Sequence, residues 1–113
     1  MSLDLADLIR DAGVAAHARG WHDRDHPTTF PEQIALVHSE LSEALEEFRA
    51  NREPADARVD ATGKPLGIPS ELADVVIRVA EMSHRYGIDL VTAIRAKLEY
   101  NATRPHRHGG KRL

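Results

Sequence analysis

The 113-residue chain contains no cysteine, which excludes disulfides, thiolate metal sites and cysteine nucleophiles. That absence fits a reducing compartment, and the expected location is the cytoplasm. The opening MSLDLADLIRD carries two acids in its first seven residues and no basic lead-in to an apolar run, so no secretory leader is expected there. No apolar stretch approaches the roughly 20 residues of a membrane helix, and a soluble protein without a membrane partner is expected. Solenoid-length repeats and low-complexity tracts are missing, and strand-like alternation is nearly so. A net charge of −3 is too small to suggest a nucleic-acid polymer as partner. The length suits a single domain, residues 1–113, of which 103–113 form a basic C-terminal tail.

Charge is unevenly distributed. From Glu32 to Phe48 there are five carboxylates and neither Lys nor Arg. From Arg104 to Leu113 there are four Lys/Arg and two His, with no acid. One region suits cations and the other anions.

Periodicity predicts four helices. The first covers about Leu3 to Arg19, with Leu5, Leu8, Ile9, Ala12 and Ala16 on one face. A loop rich in turn formers follows, from Trp21 to Thr29. The second helix starts near Pro31, capped by Thr28 or Thr29, and extends to about Arg52. Residues Glu53 to Ile68 form a sixteen-residue loop, long enough to favour a functional or mobile role, with room for a short hairpin inside Arg58–Leu66. The third helix starts near Pro69 or Ser70 and stops at Gly87. Asp89 caps the fourth, which ends before Pro105. The expected fold is an all-α, four-helix bundle.

On the second helix, at 100° per residue with Glu40 at zero, Ile34, Val37, Leu41, Ala44, Leu45 and Phe48 span about 40° to 140° and define the expected core stripe. Glu40, Glu43 and Glu47 form a ridge beside that stripe, whereas Glu46 points toward water. On the third helix, apolar residues cover about 220° of arc, which predicts a largely buried helix. Its polar residues, Glu71, Asp74, Arg78, Glu81 and Arg85, are confined to a narrow stripe. Both helices thus offer carboxylates at i and i+3, the pairs Glu40/Glu43 and Glu71/Asp74. If the two ridges face each other, four carboxylates converge and repel, and a divalent ion relieves the repulsion. Oxygen ligands without cysteine favour Mg²⁺ or Mn²⁺. The competing reading is a solvated acidic face, with Asp74–Arg78 and Glu81–Arg85 as ordinary surface ion pairs; spacing alone favours it.

Three blocks in order, His38 to Arg49 (HSELSEALEEFR), Gly63 to Asp74 (GKPLGIPSELAD) and Lys97 to Pro105 (KLEYNATRP), resemble the MazG-like nucleotide pyrophosphohydrolases. That all-α class includes dimeric dUTPases, dCTP pyrophosphatases and phosphoribosyl-ATP pyrophosphohydrolase. The resemblance covers about Trp21 to Lys111. It implies Mg²⁺-dependent cleavage of a nucleoside triphosphate between the α and β phosphates, giving monophosphate and pyrophosphate, in a nucleotide house-cleaning role. Metal ligands would be Glu40, Glu43, Glu71 and Asp74, with Glu40 or Glu43 as the catalytic base. The first acid of the family motif is replaced here by Ser39, and Glu47 is a weak substitute for it.

The resemblance also assigns Lys97, Asn101 and Arg104, at i, i+4 and i+7 of the fourth helix, to substrate phosphates. Without it they read as cations complementing a helix dipole. Trp21, the only Trp, is either a base-stacking platform or a cap on the bundle. The broad apolar arc of the third helix, together with the family's habit, predicts a homodimer or homotetramer. Two other classes compete. A non-catalytic helical interaction module is kept open by Ser39. A carboxylate-bridged di-metal bundle needs Glu-x-x-His pairs, and neither acidic pair has His at i+3.

Overall fold

The computed structural model describes residues 4–18 and 28–104. Trp21 and the tail residues 105–113 lie outside the described residues. Among those described, the chain forms α1 (Leu5–Ala18), α2 (Phe30–Arg49), a two-stranded hairpin of β1 (Arg58–Val59) and β2 (Pro65–Leu66), α3 (Ile68–Arg85) and α4 (Leu90–Ala102). No helix among them is long and apolar enough to cross a membrane.

The helix ends have local causes. Thr29 caps α2 in a reciprocal box: its hydroxyl accepts from the Glu32 N–H, and the Glu32 carboxylate accepts from the Thr29 N–H. The sequence leads one to expect α2 as far as Arg52, but it stops at Arg49. Asn51 adopts a left-handed φ of 66°, and the Arg52 N–H turns back to the Glu47 carbonyl. That is the helix-ending motif in which a residue one past the cap reverses the chain. Gly87 ends α3 the same way, with Ile88 N–H donating to the Ser83 carbonyl. Asp89 then caps α4 by accepting from the Thr92 N–H.

The hairpin is antiparallel, pairing Arg58 with Leu66 and Val59 with Pro65. Its turn is organised by Asp60, whose carboxylate accepts from the backbone N–H groups of Thr62 and Lys64 and from the Thr62 hydroxyl. Gly67 joins β2 to α3 at φ 105°, and a Cβ there would run into the Asp56 carbonyl. Only glycine allows the loop to pass so close to the start of α3.

Packing centres on α3, which receives α1 on one side and α2 on the other. Ala12 and Ala16 of α1 are buried, and a Cβ on Gly13 would overlap the His84 ring, so α1 and α3 approach nearly backbone to side chain. Helix α4 buries none of its residues. The protein is all-α as expected, but within one chain three of the four helices pack together rather than four.

The core is correspondingly small. Among described residues its apolar members are Ala12, Ala16, Ala44, Ile68, Ala80 and Met82, and no large side chain is fully buried. The stripe expected to be core on α2 is mostly open: Leu41, Leu45 and Phe48 are 45%, 58% and 57% exposed. On α3, Leu72, Val76 and Ile77 are exposed as well. An arc of about 220° is wider than α1 and α2 can cover. Glu81, expected on the polar stripe, is instead buried.

Candidate metal centre

The acidic ridges of α2 and α3 do face each other. Carboxylate oxygens from Glu40, Glu43 and Glu71 lie within 4.8 Å of one another. The antiparallel packing of two neighbouring helices brings together residues that are 31 positions apart in the chain. Glu40 is buried, Glu71 half-buried and Glu43 exposed, so the cluster runs from the helix interface out to solvent.

Its electrostatics carry the mark of crowding. Burial is the main cause that lifts Glu71 from its usual 4.5 to about 7, followed by its hydrogen bond and charge contact with Glu43, then with Glu40. Asp74, one turn along α3, is also pushed up, first by burial and then by the charges of Glu40 and Glu43. Asp74 therefore feels the cluster without belonging to the set of three that meet within 4.8 Å. Two cations oppose the shift at Asp74, Arg78 and the hairpin's Lys64. Arg78, which the solvated-face reading would pair with Asp74, crosses to α2, where its Nε donates to Glu40 Oε1 at 2.9 Å.

The donor set is all oxygen, with no His or Cys in the cluster. Such a set suits a hard divalent cation and not the softer metals that imidazole or thiolate select. The raised Glu71 is consistent with this: burial first, and then the carboxylates of Glu43 and Glu40, favour its protonated form where no cation neutralises the cluster.

Other expected residues fall apart from this centre. Ser39 is exposed and its hydroxyl donates to the Leu36 carbonyl at 2.7 Å, turned back on its own helix. Glu46 is not one of the three converging carboxylates: it lies at the rim of the neighbouring cavity, 65% exposed and paired with Arg49. Lys97, Asn101 and Arg104 are exposed on and just beyond α4, which does not pack on the α2–α3 pair, and Lys97 lies over the Tyr100 ring.

The hairpin, in contrast, contributes two cations that helical periodicity could not single out. Lys64 acts on Asp74 as described. Arg58 reaches Glu47 on α2, Nη2 to Oε2 at 3.3 Å. An open cavity of about 420 Å³ extends from Glu43 and Glu71 past Glu46 and Glu47 to Arg52 and Arg58. Basic residues in a loop carry no periodic signal, and only the chain's return from α2 to α3 brings these two to the acids. The one available clue was the hairpin expected inside Arg58–Leu66.

The fold and site thus define a mostly helical domain with an inter-helix carboxylate cluster beside an open cleft lined by glutamates and two arginines. No family model, curated protein or solved structure matches this chain.

Proposed function

We propose that this chain is a Mg²⁺-dependent nucleotide pyrophosphohydrolase of the MazG-like class, cleaving a (d)NTP to (d)NMP and pyrophosphate. The observation that carries the reading is the convergence of Glu40, Glu43 and Glu71 from two helices into one cluster of carboxylate oxygens. The three ordered sequence blocks point to the same class.

In this reading Glu40, Glu43 and Glu71, with Asp74 beside them, hold Mg²⁺ or Mn²⁺. The ion supplies neutralisation of phosphate charge and acidity to a nearby water. Glu40 is buried and tied to Arg78, whereas Glu43 is open to solvent, so Glu43 takes the proton of the attacking water. Arg78 holds the Glu40 carboxylate in place. Lys97, Asn101 and Arg104 on the unpacked α4, together with Trp21, supply further contacts to the substrate in an assembled oligomer. The role is clearance of unwanted nucleotides in the cytoplasm.

The proposed assembly is a homodimer or homotetramer. Ile34, Leu41, Leu45 and Phe48 recur at intervals of seven, four and three along α2 and are all at least 38% exposed. A seam of this kind on a helix that already packs on α3 is what a second helical subunit covers.

One observation favours a second reading, a helical binding module without catalysis: Ser39 faces its own helix where the family motif has an acid. A single assay separates the two. Each common (d)NTP is incubated with the protein and Mg²⁺, and products are resolved by chromatography. Monophosphate plus pyrophosphate supports the enzyme; diphosphate plus phosphate contradicts it, and no turnover together with no Mg²⁺ binding leaves the module.

A further inference from the structure

The cavity beside the carboxylate cluster has an unfinished wall. Arg58 belongs to β1, held in place by the strand pairing and by the close approach of the Asp56 carbonyl to Gly67 at the start of α3. Its side chain is 27% exposed and spends one nitrogen, Nη2, on Glu47 at a long 3.3 Å. Nε and Nη1 are out of contact with water and have no hydrogen-bond acceptor. A guanidinium stripped of water on two nitrogens and bonded through the third is costly, because each desolvated N–H forfeits its hydration without replacement. Swung off Glu47 into the cavity it lines, the guanidinium would uncover those nitrogens, and its planar fork matches a phosphoryl group.

The position of Arg58 is as informative as its unspent donors. The same cavity is lined by Glu43, Glu46, Glu47 and Glu71 as well as by Arg52 and Arg58, so an anion enters it only beside a bound cation and at the arginines. A divalent ion on the acidic side neutralises only part of a triphosphate, which carries about four negative charges near neutral pH, and the remainder needs protein cations. The cavity offers two, Arg52 and Arg58. Arg52 lies in the loop just after α2 and is exposed, while Arg58 is half-buried on a braced hairpin. A pre-positioned cation loses less freedom on binding than a surface one.

We propose that Arg58 is a substrate-binding residue that grips the polyphosphate of the nucleotide, exchanging its long bond to Glu47 for phosphoryl oxygens. The assignment of the ligand as a nucleoside polyphosphate rests on the proposed function; the anion site itself does not. Glu47 is then the internal anion that holds Arg58 until substrate arrives. The competing explanation is a purely structural Arg58–Glu47 staple between hairpin and α2.

Inorganic tripolyphosphate with Mg²⁺ is the discriminating probe, titrated calorimetrically into the full chain. The wild type is expected to bind. Arg58→Ala should weaken binding roughly ten- to a hundredfold and Arg58→Lys by less, the range of a charge-assisted hydrogen bond. Glu47→Gln should bind at least as tightly as wild type, since a competing anion is gone. A staple predicts instead that Glu47→Gln and Arg58→Ala lose affinity together, and that result overturns the proposal. So does wild-type affinity in Arg58→Ala, or no binding by the wild type. If Arg58→Ala does not fold, the Lys and Gln variants still separate the two. With (d)NTP the Arg58 variants should raise KM more than they lower kcat. Tripolyphosphate binding that depends on Arg58, in a protein that hydrolyses no nucleotide, upholds the anion site and rejects the pyrophosphohydrolase reading.

Discussion

Arg78 on α3 donates from Nε to Oε1 of Glu40 on α2 at 2.9 Å, joining the two helices at the deepest point of the acidic cluster. Glu40 is the most buried of the clustered carboxylates, with a side chain only 10% exposed. Removing the arginine leaves a desolvated anion without its partner. Arg78→Gln should therefore destabilise the protein by about 1–3 kcal/mol, less than for a fully buried pair because Arg78 itself is 28% exposed. Chemical denaturation measures this. The double variant Glu40→Gln/Arg78→Gln should recover part of the loss; strictly additive losses would mean that the bond contributes nothing.

The proposed metal ligands make a second prediction. Glu43→Gln and Asp74→Asn should each lower (d)NTP turnover by on the order of a hundredfold or more, with the far-ultraviolet circular dichroism unchanged. Glu46→Gln should leave turnover within about twofold, because Glu46, at the cavity rim, is exposed, engaged with Arg49 and outside the converging set. Equal damage from Glu46→Gln would contradict the separation of Glu46 from the Glu40–Glu43 ridge.

The pH dependence of stability follows from the raised carboxyls. Glu71 sits at about 7 in the folded protein against 4.5 when unperturbed, and Asp74 is raised too. Between those values the folded state holds more protons than the unfolded state. Stability of the metal-free protein therefore falls as pH rises from about 4.5 to about 7, and the penalty is complete above that. Asp60 and Asp89 act oppositely: side-chain and backbone hydrogen bonds, from Thr62 and Lys64 at Asp60 and from Thr92 at Asp89, lower both. Their stabilisation is lost only in more acidic solution, below the usual carboxylate range. Thermal unfolding of the apoprotein should accordingly be highest near pH 5. Mg²⁺ should raise Tm strongly at pH 8 and little at pH 5, where protons already relieve the cluster. A Mg²⁺ effect of equal size at both pH values would show binding elsewhere.

The open apolar seam of α2 predicts self-association. The wild type should sediment as a dimer or tetramer at micromolar concentration. Leu45→Glu, at a position 58% exposed in the single chain, should give a monomer of lower Tm. A wild-type monomer that Leu45→Glu leaves unchanged would remove the case for the assembly.

Much of the fold was legible along the chain. Thr29 with Glu32, Gly87 and Asp89 are local signals, and each marks a helix end in the structure, because capping involves residues only a few positions apart. The exception was Asn51, which ends α2 three residues early; asparagine tolerates a left-handed φ but does not announce it. Burial was less legible. Periodicity places Leu41, Leu45 and Phe48 on one face, yet says nothing of whether this chain or another covers it.

The helical class, most boundaries and the two i,i+3 acidic pairs are therefore written in the local pattern of residues. These depend on propensity, capping and a period of about 3.6 residues, all properties of short segments. Packing of the elements brings Glu40, Glu43 and Glu71 within 4.8 Å, bonds Arg78 to Glu40, and sets Arg58 in the wall of the adjoining cavity. Those relations depend on the rotation of α3 against α2 and on the path of the hairpin between them. Both are set by the fit of two helices and a loop that the local pattern does not encode.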